Sequence, residues 1–327
     1  MKIKKVLLSI LAILIIVGIC AAIVIGGNKR TDSNKAKYKV VASNFASYDF
    51  LRAIIGDNKD VELTFLLGPG KDAHSYDPTA GDLIKIQEAD LFVYVGGEME
   101  KWSDKVLESI NVNDKKIICI ANYVDTIEEK EVDGAEEHEH DHEEESKEHE
   151  EGAFDEHIWT SPENAIKMVN ALEKAMEEID SENASSYREN ADKYIAQIKD
   201  VDEKIQVIVD NKVRDRLVFA DKMPMQYFMD YYNLKVTAAF DGCSTETDPS
   251  AKTIAYLQNK VKEEKIPVIL YIELNPGKVA ETIANETGAE AMQIQTLHNV
   301  SLEDFNNGET WVSLMTRNID VLKKALQ

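Results

Sequence analysis

Residues 181–212 read SENASSYRENADKYIAQIKDVDEKIQVIVDNK, and apolar side chains recur in this stretch at alternating spacings of four and three. The apolar positions are Tyr187, Ala191, Tyr194, Ile198, Val201, Ile205 and Ile208. Such a narrow stripe is typical of an amphipathic helix, and about thirty residues make it roughly 45 Å long. We predict a rigid spine between two lobes. A coiled-coil dimer is the competing interpretation, but the stripe is short and flanked by α/β sequence, which favours a monomer.

Strands and short helices alternate on both sides of this helix. The predicted strands are Tyr38–Asn44, Val61–Leu67, Asp90–Gly96, Lys116–Ile120, Arg216–Ala220, Leu234–Phe240, Pro267–Glu273 and Glu290–Ile294. The alternation predicts an α/β fold of two similar lobes, each with a mainly parallel four-stranded sheet. We expect a signal or membrane anchor at 1–30, a linker at 31–37, a first lobe at 38–180, the linking helix at 181–212 and a second lobe at 213–327.

The N-terminus predicts export. Three lysines among the first five residues precede an uncharged apolar run from Val6 to Gly27. That run is long enough to span a bilayer, and its flanking charge keeps the start of the chain cytoplasmic. Three interpretations stay open: an uncleaved membrane anchor, a lipoprotein cleaved before Cys20 although Ile19 is bulkier than expected there, or simple secretion. In each case the body of the protein is extracytoplasmic, and in the first two it is tethered to the membrane.

Negative charge is concentrated in one segment. The chain has a formal net charge of −23, and residues 126–156 hold sixteen Asp and Glu against two Lys. No basic stripe occurs, so we expect no nucleic-acid partner. The segment 126–153 lacks apolar periodicity and predicts a disordered acidic loop. The cysteines Cys20, Cys119 and Cys243 are far apart and do not indicate a disulfide framework.

Four of the seven histidines lie in this acidic segment: His138, His140, His142 and His149. Imidazoles among carboxylates on a flexible chain bind zinc loosely and concentrate it, so an auxiliary metal-gathering loop is one interpretation. A merely solvated acidic linker is the other. His138 to His142 also matches H-E-x-x-H, but a metalloprotease needs that motif on a packed helix, and this stretch has no apolar residues to pack one.

Two of the other three histidines, together with two carboxylates, suggest a metal site in the cleft between the two predicted lobes. His74 lies between a predicted strand and a predicted helix, and His157 precedes a capped helix. Asp221 and Glu273 follow directly on strand ends of the second lobe, where loops face the ligand crevice. Two imidazoles facing two carboxylates would form a first shell for a divalent metal. As alternatives, Asp221 could serve a helix start, Glu273 could pair with a lysine, and His298 is either an outer ligand or a surface residue.

Five segments, in order along the chain, resemble the zinc/manganese solute-binding family of bacterial ABC transporters. They are Pro69–Leu83, Gly96–Trp102, Asp155–Pro162, Ala220–Leu234 and Thr282–Gly288. The resemblance extends from about Lys37 to the C-terminus. It implies two α/β lobes bridged by a rigid helix and one metal in the cleft between them. The family usually holds zinc with three histidines, and manganese with two histidines and two carboxylates.

The resemblance assigns His74 and His157 as the first two metal ligands. The third ligand of the family is usually His or Glu near Phe219–Pro224, where Asp221 is the nearest donor in this chain, and Glu273 is the next candidate. The chain departs from the family in two further places, with alanine in place of a proline at position 73 and aspartate in place of a common glutamate at position 77.

The resemblance implies a binding protein that carries Zn²⁺ to an ABC transporter permease and is not an enzyme. Mn²⁺ is the alternative cargo if Asp221 and Glu273 complete the ligand set. Two other functions stay open from the residues alone, namely a zinc-dependent hydrolase and a surface adhesin stabilised by a structural metal.

Overall fold

A computed structural model describes residues 36–110, 115–135, 154–244 and 248–327. Within it, Tyr38–Gln327 forms one compact unit, and the described strands form two four-stranded parallel sheets. The predicted α/β fold of two lobes is therefore confirmed. The apolar run from Val6 to Gly27, Cys20 and the four loop histidines lie outside the described residues. Among the helices that are described, none has the length and apolar character needed to cross a bilayer.

The first sheet has the strand order β2-β1-β3-β4, with β1 (Tyr38–Ala42), β2 (Val61–Phe65), β3 (Leu91–Tyr94) and β4 (Lys116–Cys119). Its helices are α1 (Phe45–Ile55), α2 (Ala80–Glu88) and α3 (Trp102–Ser109). Asn44 caps α1 by accepting the Ser47 N–H, and Thr79 forms a capping box with Asp82 at the start of α2. The last three residues of β1 are all buried, as expected for a central strand of a parallel sheet.

The predicted spine is a helix of 27 residues, α5 (Ala184–Asp210), preceded by α4 (Pro162–Ile179). All seven apolar positions of its stripe are buried. The helix packs against α1 and α4 and, on the side of the second lobe, against the C-terminal helix Trp311–Leu326. Its length of about 40 Å allows it to contact helices of both lobes.

The second sheet has the order β6-β5-β7-β8, with β5 (Arg216–Lys222), β6 (Lys235–Phe240), β7 (Val268–Ile272) and β8 (Glu290–Ile294). Its helices are α6 (Gln226–Tyr231), α7 (Ala251–Glu263), α8 (Lys278–Thr287), α9 (Leu302–Asn306) and α10 (Trp311–Leu326). The buried carboxylate of Asp49 in α1 accepts hydrogen bonds from the Tyr194 hydroxyl of α5 and from the Trp311 N–H of α10, 2.7 Å away. One side chain thus joins helices of both lobes to the spine.

The first part of the acidic segment is ordered against the second lobe, so the prediction of a disordered loop at 126–153 is wrong for residues 126–135. The Lys130 N–H donates to Gln226 Oε1 at 3.1 Å, and the Ala238 N–H donates to the Asp133 carbonyl at 3.0 Å. Ala238 belongs to β6, an edge strand of its sheet. Main-chain bonding to an open edge therefore orders a segment that has few apolar side chains. Cys119 and Cys243 are free thiols.

Candidate metal centre

Three histidines from different parts of the chain meet in one cluster. Nε2 of His157 lies 3.4 Å from Nε2 of His74 and 3.3 Å from Nδ1 of His298. The three rings lie 5.0–5.4 Å apart between centroids. His157 and His298 are buried, while His74 is partly exposed. Among the described residues, this is the one group of three or more His, Cys, Asp or Glu side chains with the geometry to hold a metal ion.

The spacing of the imidazole nitrogens fits tetrahedral zinc. Zn–N bonds of about 2.0–2.1 Å at tetrahedral angles place neighbouring nitrogens about 3.3–3.4 Å apart. The two separations measured from His157 fall in that range. Three imidazole ligands leave the fourth position of a tetrahedral site to water or another donor.

Hydrogen bonds of Asp155 and of Trp159 hold the segment of His157 in place. Its backbone N–H donates to Asp155 Oδ1 at 2.8 Å, and the same oxygen lies 3.1 Å from Nδ1 of the ring. A proton on Nδ1 leaves the lone pair of Nε2 directed at the other two histidines. The indole N–H of Trp159 donates to the Thr296 carbonyl at 3.1 Å and so ties this segment to the loop that carries His298.

The loops that carry His74 and His298 are bonded to each other. The Asn299 amide donates to the Gly68 and Lys71 carbonyls at 3.0 and 2.5 Å, and the Gly70 N–H donates to the Val300 carbonyl at 2.8 Å. These contacts join residues more than 200 positions apart in the sequence; Asn299 and Gly68, for example, are separated by 231 positions. The two histidines are therefore placed by lobe-to-lobe contact.

Asp72 connects the same two histidines. Its Oδ1 accepts the His74 backbone N–H at 2.9 Å and lies 3.5 Å from Nε2 of His298. Its Oδ2 accepts from Nζ of Lys222 at 2.6 Å. Burial alone would raise the pKa of Asp72, but the hydrogen bonds and charges of His298 and Lys222 outweigh it and hold that pKa well below its ordinary value. Asp72 is therefore an anion that faces the outer nitrogen of a candidate ligand.

The electrostatics favour neutral imidazoles at His74 and His298. Burial, followed by the charges of its neighbours, lowers the pKa of His74 to about 2, and burial lowers the pKa of His298 to about 4. Neutral imidazole is the form that binds metal, so these two rings need not lose a proton near neutral pH before they accept a cation.

Asp221 and Glu273 lie near the histidine cluster but do not belong to it. The Asp221 carboxylate accepts the N–H groups of Lys222 at 2.8 Å and Ile272 at 3.4 Å. Glu273 accepts the backbone N–H and the hydroxyl of Thr296, both at 2.8 Å. Burial raises the pKa of both carboxyl groups. Glu273 thereby supports the turn before His298, whose own N–H donates to the Thr296 hydroxyl at 3.3 Å.

A cavity of about 380 Å³ opens beside the cluster, and its walls include Asp72, Lys222 and His298. Asp221 and Glu273 line the same cavity. These two carboxylates therefore share a cavity with His298.

Gly242 lies where the second lobe approaches His157. A Cβ atom there would lie 3.0 Å from the Met223 carbonyl oxygen and 3.5 Å from Cε1 of His157. The first of these separations is tighter than most Cβ contacts, so a larger residue would require the neighbouring backbone to shift by a few tenths of an ångström. No local pattern in the sequence marks this glycine.

Two α/β lobes that share a helix, with imidazoles of both lobes converging in the cleft, define a metal-binding protein of the cleft type. The chain belongs to the family described as zinc-uptake complex component A, periplasmic (ZnuA), whose profile matches residues 40–325. The members of this family are metal-binding transport proteins and not enzymes.

Individual relatives agree with this assignment. The high-affinity zinc uptake system protein ZnuA of Bacillus subtilis (strain 168) is 33% identical over 304 residues, which cover 92% of each chain. The zinc-binding lipoprotein AdcA of Streptococcus pneumoniae (strain ATCC BAA-255 / R6) is 30% identical over 311 residues, or 95% of this chain but 60% of AdcA. The crystal structure of the Zn(II)-bound ZnuA-like domain of S. pneumoniae AdcA has a TM-score of 0.72 at 27% identity, over 89% of this chain and 99% of that one.

Proposed function

We propose that this chain captures Zn²⁺ outside the cytoplasm with His74, His157 and His298 and delivers it to the permease of an ABC importer. The observation that carries this proposal is the spacing of the three imidazole nitrogens, 3.3 and 3.4 Å from the central one. Similarity to a zinc uptake protein of B. subtilis and to a Zn(II)-bound domain of S. pneumoniae supports zinc as the cargo.

The donor chemistry favours zinc over manganese. Imidazole nitrogen suits zinc, whereas manganese prefers carboxylate, carbonyl and water oxygens. A manganese site of two histidines and two carboxylates would need Asp221 and Glu273. Both carboxylates already accept backbone N–H groups, and turning them toward the metal would leave those buried donors unpaired. This cost makes the zinc site of three histidines the better proposal.

The sequence supports a location for the protein at the membrane and an auxiliary role for the histidines of the acidic segment. The apolar run from Val6 to Gly27 tethers a monomeric chain to the membrane, either as a retained helix or through a lipid at Cys20. The histidines of the acidic segment gather zinc for the site, because a dense run of negative charge raises the local concentration of cations.

Metal analysis and competitive titration of the purified full-length chain test the binding step. We expect tight zinc binding that weakens strongly in each of His74→Ala, His157→Ala and His298→Ala, and weaker binding of manganese. His149→Ala, in the acidic segment, is the matched control and should keep the tight site. Unchanged tight binding in all three site variants would refute the proposal.

Delivery requires a separate measurement. Zinc-limited growth of a host that lacks its own zinc-binding component should be restored by the wild-type chain when the matching permease is present. The His157→Ala chain should fail to restore it. Equal growth with both chains would separate metal binding from transport and would contradict the delivery step.

A further inference from the structure

A buried lysine lies beside the metal cluster and is not a ligand. Lys222 ends β5 and is 7% exposed. Its Nζ donates to Asp72 Oδ2 at 2.6 Å and to the Ser244 carbonyl at 3.3 Å. Burying an ammonium group is costly unless it is paired, and Asp72 is the partner that compensates this charge. Lys222 thus brings a fixed positive charge into a site built for cations.

The position of Asp72 makes this charge relevant to metal binding. The Asp72 carboxylate lies 3.5 Å from Nε2 of His298, while Nδ1 of the same ring faces His157. A carboxylate on the outer nitrogen of a ligand histidine strengthens its bond to a metal, because it stabilises the positive charge that the ring gains. Lys222 neutralises the same carboxylate from its other oxygen.

We infer that Lys222 is an affinity-determining residue that weakens zinc binding by offsetting the charge of Asp72, so that the metal can be released. This inference rests on the proposed function. Lys222 lines the cavity beside the cluster, together with His298 and Asp72. The ammonium of Lys222 is buried beside the cluster, so it repels a cation bound there, and the partly buried surroundings screen this repulsion only weakly.

A role for Lys222 in preorganising the histidine cluster predicts the opposite effect on zinc affinity. The Lys222–Asp72 ion pair also joins a strand end of the second lobe to the loop of His74 in the first lobe. If holding the lobes together were its main contribution, removing the ammonium would loosen the cluster and weaken zinc binding. Several other bonds already join these loops, including those of Asn299 to Gly68 and Lys71. We therefore expect the charge effect to exceed the loss of this one contact.

Competition between the full-length chain and a chromophoric chelator tests the inference. Lys222→Gln and Lys222→Met should bind zinc roughly ten- to hundredfold more tightly than wild type, the scale on which outer partners change metal affinity. Both should release zinc more slowly to excess EDTA. Lys222→Arg retains the charge and should keep wild-type affinity. Asp72→Asn should bind zinc more weakly, and adding Asp72→Asn to Lys222→Gln should return the affinity toward wild type.

Two readouts separate the charge effect from a rearrangement of the ligands and from a loosened cluster. The visible spectrum of bound Co²⁺ should be the same in wild type and Lys222→Gln, whereas a changed spectrum means a rebuilt ligand set and overturns the inference. Wild-type or weaker zinc affinity in both neutral variants also overturns it, while leaving the proposed function intact. A wild-type chain that binds no zinc would overturn the proposed function, and this inference with it.

Discussion

Replacing Asp155 by alanine should weaken zinc binding without removing any ligand. Asp155 Oδ1 accepts the His157 backbone N–H at 2.8 Å and lies 3.1 Å from Nδ1 of the ring. The carboxylate therefore fixes both the orientation of the ring and the nitrogen that carries its proton. Without that acceptor, the proton can occupy Nε2, the atom that faces His74 and His298, and binding must first move it.

The size of the expected loss of zinc affinity follows from the kind of contact that Asp155→Ala removes. Outer partners of ligand histidines change metal affinity by about 10- to 100-fold, which corresponds to about 1.4–2.7 kcal/mol. Asp155 is 2% exposed, so water replaces the lost acceptor only poorly, and we expect the upper part of this range. Asp155→Asn retains an acceptor for the backbone N–H and should lose less affinity than Asp155→Ala.

The assay is zinc competition against a chromophoric chelator near neutral pH, with thermal unfolding of the metal-free protein measured in parallel. Asp180→Asn is the matched control, because Asp180 is equally buried and accepts the Tyr187 hydroxyl at 2.6 Å away from the cluster. It should lower stability and leave zinc affinity unchanged. Wild-type affinity in both Asp155 variants would refute the proposed role, as would an equal loss of affinity in the Asp180 control.

Three further outcomes are expected. Burial raises the pKa of Glu100 to about 7 from its ordinary value of 4.5, so the folded state favours the neutral carboxyl group. The stability gained from that preference is fully present below pH 4.5 and is lost as the pH rises to about 7. The loss is roughly 3 kcal/mol, and urea unfolding of the metal-free chain between pH 5 and 8 should show it in wild type and not in Glu100→Gln. Ile198→Ala in the buried stripe of α5 should cost about 2–5 kcal/mol by the same method, because it opens a cavity. Zinc at about 100 times its dissociation constant should stabilise the wild type by about 2.7 kcal/mol in thermal unfolding, and His298→Ala should not respond at that concentration.

Each of these outcomes has a control. An identical pH dependence in wild type and Glu100→Gln would contradict the assigned pKa. Val207 lies on the same helix as Ile198 but is 61% exposed. Val207→Ala should therefore change the free energy of unfolding by less than about 0.5 kcal/mol. The metal-free protein should retain its far-ultraviolet circular dichroism after chelation, and unfolding on removal of zinc would instead favour a structural metal and the adhesin function.

The fold was predictable because its signals are local. The stripe from Tyr187 to Ile208 repeats with the period of a helix, and all seven of its positions are buried. Each predicted strand is a short apolar run bounded by turn residues or by a capped helix, and the eight runs form the two observed sheets. Hydrophobic periodicity depends only on residues that are close in the sequence, so it can be recognised without knowing the tertiary contacts.

The candidate site was only partly predictable. His74 lies in a loop after a predicted strand and His157 lies before a capped helix, and resemblance to a family assigns both as ligands. His298 was the weaker candidate, because its position depends on bonds between Asn299 and the Gly68–Lys71 loop, more than 220 residues earlier. Asp221 lies in the predicted cleft, but hydrogen bonds from Lys222 and Ile272 determine where its oxygens point.

The local chemistry of the chain therefore determined the two lobes and the spine, and resemblance to a family assigned two of the three clustered imidazoles. Tertiary contact alone decided the third imidazole, the pairing of Lys222 with Asp72, and the ordering of residues 126–135 along the edge strand β6. The physical reason is common to all three. Hydrogen bonds and ion pairs between distant residues depend on atomic positions that no local pattern of hydrophobicity or charge encodes.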